Sequence, residues 1–151
     1  MDNDDYPVLH IISYGHKRGP LVPPPDLLFD MRRLPNPPKH VRSKQTGVFK
    51  PLRDWLFADA SVQARFAEVS NLIQDRVSEA DSKGERVLRV GVCCQLGHHR
   101  SVAVVEELGQ RRFNEWETVI HHRDLHLKRS HDKRVRSGRE AHDVEEEVED
   151  G

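Results

Sequence analysis

Cys94, Gln95, Leu96, Gly97, His98, His99, Arg100 and Ser101 form the pattern C-x-x-G-x-x-R-S, directly after an apolar run over 87–93. Those residue types at that spacing suit an oxyanion. Between a strand and a helix, such a turn aims successive backbone N–H groups inward, and a helix beginning near Ser101 adds the partial positive charge of its N-terminus. The planar fork of Arg100 can close on two oxygens of a phosphate. Gly97 permits a tight turn with no Cβ in the way. A thiolate at Cys94 would draw on the same donors, which predicts a lowered pKa for that thiol. A strand-to-helix turn with an incidental arginine is the weaker reading, given the fixed spacing and flanks.

The same pattern also fits a cysteine-dependent phosphatase. There a thiolate attacks phosphorus, amides and an arginine hold the equatorial oxygens, and a hydroxyl stabilises the leaving thiolate. Cys94, Arg100 and Ser101 match those roles. Residue 93 is cysteine rather than the usual histidine, and spacing selects no general acid among Asp30, Asp54 and Asp124. Binding a phosphorylated small molecule is therefore the expectation, and phosphatase turnover the alternative. Lys17 with Arg18, and Arg32 with Arg33, end two earlier strands where they could reach a ligand in the loop; solvated turns are the competing reading. His98, His99, His121, His122, His126 and His131 lack the spacing of a metal site, because adjacent histidines point apart in a strand and spacings of five miss a common helical face. They read as solvated or anion-contacting imidazoles. No metal or other cofactor is expected.

The elements that must position these residues follow from periodicity and breakers. Val8 to Ser13 reads as a first strand and Leu27 to Met31 as a second, with Pro23-Pro24-Pro25 a stiff spacer between them. Pro35, Pro37 and Pro38 force an extended loop. A short helix is expected over 51–57 with Pro51 at its first position. Asp59 can cap the next helix, whose stripe is Val62, Phe66, Val69, Ile73 and Val77, and Lys83-Gly84 ends it. The run 87–93 is apolar enough for a strand covered on both faces. A helix from about Ser101 to Phe113 and a strand from Trp116 to His121 complete the order, with Trp55, Phe57 and Phe66 assigned to the core. This order predicts an α/β fold with a small, mostly parallel sheet flanked by helices. The loop after the third strand lies where such sheets bind ligands.

Composition sets the remaining bounds. The chain of 151 residues is 36% hydrophobic and 32% charged, with a mean hydropathy of -0.74 and a net charge of -1. It divides into a domain over 1–127 and a disordered charged tail over 128–151, since no packing periodicity survives beyond Asp124. Residues 121–139 hold seven Lys/Arg, and 140–151 hold seven acidic residues with no Lys/Arg. Within the basic block, Arg123, Lys128, Arg129, Lys133 and Arg134 are candidates for RNA contact, mainly to phosphate, because aromatics for base stacking are absent there. The two cysteines are adjacent, which excludes a disulfide framework and points to a reducing compartment. No signal peptide or membrane span is visible, so the cytoplasm is the expected location, with the nucleus as a second choice.

With those elements in place, residues 13–128 resemble the C-terminal domain of the RNase adapter protein RapZ and its YvcJ-like relatives. Five blocks carry the resemblance: Ser13-Tyr14-Gly15-His16-Lys17-Arg18-Gly19; Leu28-Phe29-Asp30-Met31-Arg32-Arg33-Leu34-Pro35-Asn36-Pro37; Thr46-Gly47 with Pro51-Leu52-Arg53-Asp54; Cys94 to Val102; and His121-His122-Arg123-Asp124-Leu125. The resemblance implies a sugar-phosphate-binding module that senses an amino-sugar phosphate and binds a small RNA through a basic C-terminus. It assigns phosphate recognition to Cys94, Gly97 and Arg100, and RNA contact to Lys128 and Arg129. It leaves room for a protein partner. This sequence departs from the family in three places. It has no G-x-x-x-x-G-K-[ST] for an ATPase, it carries Gln95 and Leu96 where the family has threonine and glycine, and Pro38 replaces a histidine.

Overall fold

The computed structural model describes residues 6–127. Four strands form one sheet: β1 Val8–Gly15, β2 Leu27–Asp30, β3 Val87–Cys94 and β4 Glu117–His122. They lie in the order β2-β3-β1-β4 with every neighbouring pair parallel. The helices are α1 Lys39–Arg42, α2 Lys50–Phe57, α3 Ala60–Lys83 and α4 Arg100–Leu108. The fold is thus α/β, with a small parallel sheet flanked by helices. The tail expected over 128–151 lies outside the described residues.

Strand alternation sorts the side chains onto two unlike faces. Leu9 and Ile11 of β1, with Leu88, Val90 and Val92 of β3, pack against Val69, Ile73 and Val77 of α3 and Val104, Val105 and Leu108 of α4. Burying each such side chain contributes roughly 1.5–3 kcal/mol. Ile12, Tyr14 and Cys93 point the other way, toward Leu21. β3 is buried on both faces from Val90 to Cys94, as expected, but the helices cover only one of them; the segment after β1 covers the other there. The physical reason lies in the connections. The β1–β2 link is too short and proline-rich to form a crossover helix, and crosses the second face with a cis Val22–Pro23 bond.

α3 has a determined start and stop. The Asp59 carboxylate accepts the Ser61 N–H at 2.8 Å and the Val62 N–H at 3.3 Å. Gly84, at φ +77°, closes the other end in the left-handed conformation. Two expectations need correction. Trp55 is 39% exposed, because Leu52 and Leu56 occupy the buried side of α2. α4 stops at Leu108 rather than Phe113: the chain turns through Asn114 at φ +53°, buries Phe113 and Trp116, and so re-enters the sheet as β4.

From β1 the chain crosses β3 to reach β2, and from β3 it crosses β1 to reach β4. The two connections leave adjacent strands in opposite directions and over opposite faces. Such a switch point opens a crevice at the strands' carboxyl ends. Gly15 and Cys94, paired in register, mark its floor.

Candidate anion-binding site

β3 ends at Cys94 and α4 begins at Arg100, so residues 95–99 make the whole connection. The turn is tight because three backbones touch there. Gly97 sits at φ +84°, and a Cβ on it would stand 2.7 Å from the Gly15 nitrogen. A Cβ on Gly15 would come within 2.4 Å of the Leu96 carbonyl, and one on Gly47 within 2.4 Å of the His99 oxygen and the Ala103 nitrogen. Glycine is required at all three for steric reasons. Backbone bonds then join the segments: the Lys17 N–H donates to Gln95 O at 3.1 Å, and the Gly47 N–H to His98 O at 2.9 Å.

The loop's side chains face inward. Cys94 Sγ and Ser101 Oγ are 3.0 Å apart and fully buried. His99 donates from Nε2 to the Arg42 carbonyl at 2.9 Å. Arg100 is 5% exposed, and its Nη1 donates to the carbonyls of Arg32 at 2.7 Å and Leu34 at 2.9 Å. Each charge-assisted bond of this kind contributes about 1.5–3 kcal/mol. Arg100 therefore clamps the stretch after β2 onto the start of α4, a role its expected grip on phosphate did not include. Of the two expectations for these imidazoles, solvated or anion-contacting, the first does not hold for His98 and His99. His98 and His99 are buried, edge-on with centroids 6.0 Å apart, because the glycine contacts draw the loop beneath residues 42–47.

The other candidates divide. Lys17 lies at the same edge with an exposed side chain, its backbone joined to the loop. Arg32 approaches the site by its carbonyl; its guanidinium instead holds Asp30 through Nε to Oδ1 at 3.0 Å and Nη2 to Oδ2 at 2.7 Å. That pairing holds the Asp30 carboxyl down at about 2. Arg33 is exposed. Gln95 is half-buried and Leu96 buried. Of the three aspartates considered as acids, Asp30 is thus kept ionised and Asp54 pairs with Lys50 at 2.9 Å on the exposed side of α2. Asp124, 3% exposed, accepts the Gly15 N–H at 2.8 Å. Arg123 braces it from Nη2 at 2.9 Å, bonds the carbonyls of Gly19 and Pro20, and lies over the Tyr14 ring at 5.2 Å. Lys128, Arg129, Lys133 and Arg134 lie outside the described residues.

Sequence reasoning missed two supports. Asp124 caps the end of β1, and Arg53 joins the Gly47 and Val48 carbonyls to Glu107 of α4 at 3.3 Å. Both residues stand in the blocks that carry the family resemblance, which was their sequence signal. The strand histidines do separate as alternation requires: His121 meets His10 on one face, and His122 bonds Ser13 at 2.7 Å and Glu106 at 2.8 Å on the other. Cys93 is buried away from Cys94, and burial, with the Asp30 charge beside it, pushes its thiol up to about 11. Burial likewise raises the Tyr14 phenol to about 12.

The site is thus a buried cysteine–serine pair under a glycine-packed loop at the N-terminus of a nine-residue helix. Orphan N–H groups and a partial positive charge at such an end favour an anion. No helix among the described residues is long and apolar enough to cross a membrane.

The family described as the RapZ C-terminal domain matches residues 7–126. The chain is similar to a nucleotide-binding protein of Clostridium acetobutylicum, 33% identical over 120 residues that cover 78% of this chain and 40% of that protein. A nucleotide-binding protein of Pseudomonas fluorescens is 36% identical over 75% of this chain and 40% of its own length. One of Synechococcus is 40% identical over 68% of this chain and 30% of its own length. The chain therefore spans well under half of these relatives. All five sequence blocks fall within the matched region, and the chain belongs to the RapZ C-terminal domain family.

Proposed function

We propose that the chain binds a phosphorylated small molecule, sugar-phosphate-like, at the 94–101 loop. The observation that carries this reading is the convergence of the Gly15, Gly47 and Gly97 backbones on the start of α4, which builds a closely packed loop at a helix N-terminus. Lys17 at the rim supplies a cation with an exposed side chain. The relatives' name, nucleotide-binding protein, fits a phosphorylated ligand, although it describes proteins more than twice as long as the matched segment. We place the domain at 1–127 and its activity in the cytoplasm; the bacterial relatives give no support to a nuclear location.

Binding is favoured over turnover. Cys94 and Ser101 have the spacing of a phosphatase pair, but Asp30 is held ionised and Arg100 Nη1 is occupied by two carbonyls. A positioned acid contributes roughly 10²–10⁴-fold in rate. The RNA-adapter reading rests on residues outside those described, and Arg123 within them is engaged by Asp124 and two carbonyls.

Calorimetric titration with inorganic phosphate and a hexosamine phosphate tests the proposal. Binding to the wild type, weakened about tenfold or more in Lys17→Ala and in Arg100→Ala that still melts cooperatively, is the expected result. Absence of binding by either ligand, or unchanged affinity in both variants, overturns it.

A further inference from the structure

The face of the sheet turned away from the helices carries a groove of about 770 Å³. That volume falls within the 300–1,000 Å³ typical of small-molecule sites. Its apolar walls are Ile12, Leu21, Val22 and Val87, while His10 of β1, Arg89 of β3 and His121 of β4 lie along it. His122 and Arg123 complete the polar lining, and no Asp or Glu among the described residues lines it.

The two imidazoles are arranged to share a proton. His10 Nδ1 lies 3.1 Å from His121 Nε2, with the rings stacked at 29° and centroids 5.3 Å apart. One nitrogen must donate and the other accept. A second proton would break that bond and place two imidazoliums beside Arg89. Arg89 is itself fixed, since Nη1 donates to the Pro23 carbonyl. The nearby carboxylate, Asp26, accepts the Arg89 backbone N–H at 2.8 Å and does not line the groove. His122 turns its ring to Ser13 and Glu106 on the helix side, and Arg123 is braced by Asp124. Among the described residues the groove therefore gathers cations and proton acceptors with no carboxylate in its lining.

We infer that this groove is a second binding site, for an oxyanion carried on a flat apolar body, and that its occupation takes up one proton from solvent onto the His10–His121 pair. The anion separates the two rings and accepts a hydrogen bond from each, while its apolar body covers Ile12, Leu21 and Val22. Burial, His121 and Arg89 together depress the His10 pKa. A bound anion opposes the last two of these effects, so binding and protonation support each other. This site is separate from the 94–101 loop and does not depend on the function proposed for it.

The probe is 2-naphthalenesulfonate, whose charge is constant through the histidine range, titrated by calorimetry at about pH 6 and about pH 7.5. One linked proton predicts a Kd that falls toward lower pH by up to about tenfold per unit. Inorganic sulfate, lacking the apolar body, should bind at least about tenfold more weakly. The double variant His10→Asn with His121→Asn should abolish the pH dependence. Val22→Asp, at a position 83% exposed and so harmless to folding, should weaken binding by placing a carboxylate at the rim. A pH-independent Kd, or affinity unchanged in Val22→Asp, overturns the inference. Loss of sulfonate binding in Arg100→Ala with Val22→Asp unaffected also overturns it, by placing the anion in the 94–101 loop instead.

Discussion

Removing the Asp124 carboxylate should destabilise the end of β1 and the loop packed against it. The carboxylate is buried and has two tasks: it accepts the Gly15 N–H at 2.8 Å, and it receives Nε and Nη2 of Arg123, each at 2.9 Å. In Asp124→Ala the buried Gly15 N–H is orphaned, a penalty of about 1–3 kcal/mol. The ion pair adds about 1 kcal/mol, because the Arg123 side chain is 31% exposed and partly screened. The expected total is about 2–4 kcal/mol. Asp124→Asn keeps an acceptor for Gly15 and loses the charge, so it should cost about 1–2 kcal/mol. Urea unfolding of the three proteins, with m-values compared, measures both numbers. The Gly15 backbone also abuts Leu96 and Gly97, so phosphate affinity should fall in the same order. A loss below about 1 kcal/mol in Asp124→Ala, or equal losses in the two variants, would refute the reasoning, the second by showing that the Gly15 bond contributes nothing.

Gly97→Ala should lose roughly 1–3 kcal/mol, combining left-handed strain with a Cβ forced against Gly15, whereas Gly84→Ala, also at positive φ but facing open space, should lose only about 1 kcal/mol; chemical denaturation compares them. Asp30 titrates at about 2 in the folded chain against an ordinary 3.8, so its contribution is present above about pH 4 and is lost as pH falls toward 2. Asp30→Asn should flatten the stability profile in that window, by under about 1 kcal/mol given the solvent exposure of the pair. Cys93 at about 11 and Tyr14 at about 12 behave in the opposite sense: their stabilisation is complete below their ordinary values of 9 and 10 and is lost as pH rises through the folded values. Unfolding measured from neutral pH upward should show declining stability above about pH 9, with a shallower decline in Cys93→Ala, and native protein should resist alkylation of Cys93 at neutral pH.

Much of the fold was legible locally because its determinants are local. Asp59 and Gly84 bracket α3 by capping chemistry, and Val62, Val69, Ile73 and Val77 mark its buried stripe by period alone. The pattern at 94–101 placed the loop between strand and helix, and strand alternation separated His121 from His122. What the tertiary structure decided were the partners. Arg100, a phosphate fork by its spacing, spends Nη1 on carbonyls more than sixty residues away in the chain, and Arg123, one of a run of cations by composition, is bound to its neighbour Asp124 and to Gly19 and Pro20. The sheet's helix-free face, with His10 set against His121, was equally hidden. Periodicity reports which residues are apolar and which side of a strand they share, but hydrogen-bond partners depend on strand order and connection path, which bring distant residues within 3 Å only after the whole sheet has assembled.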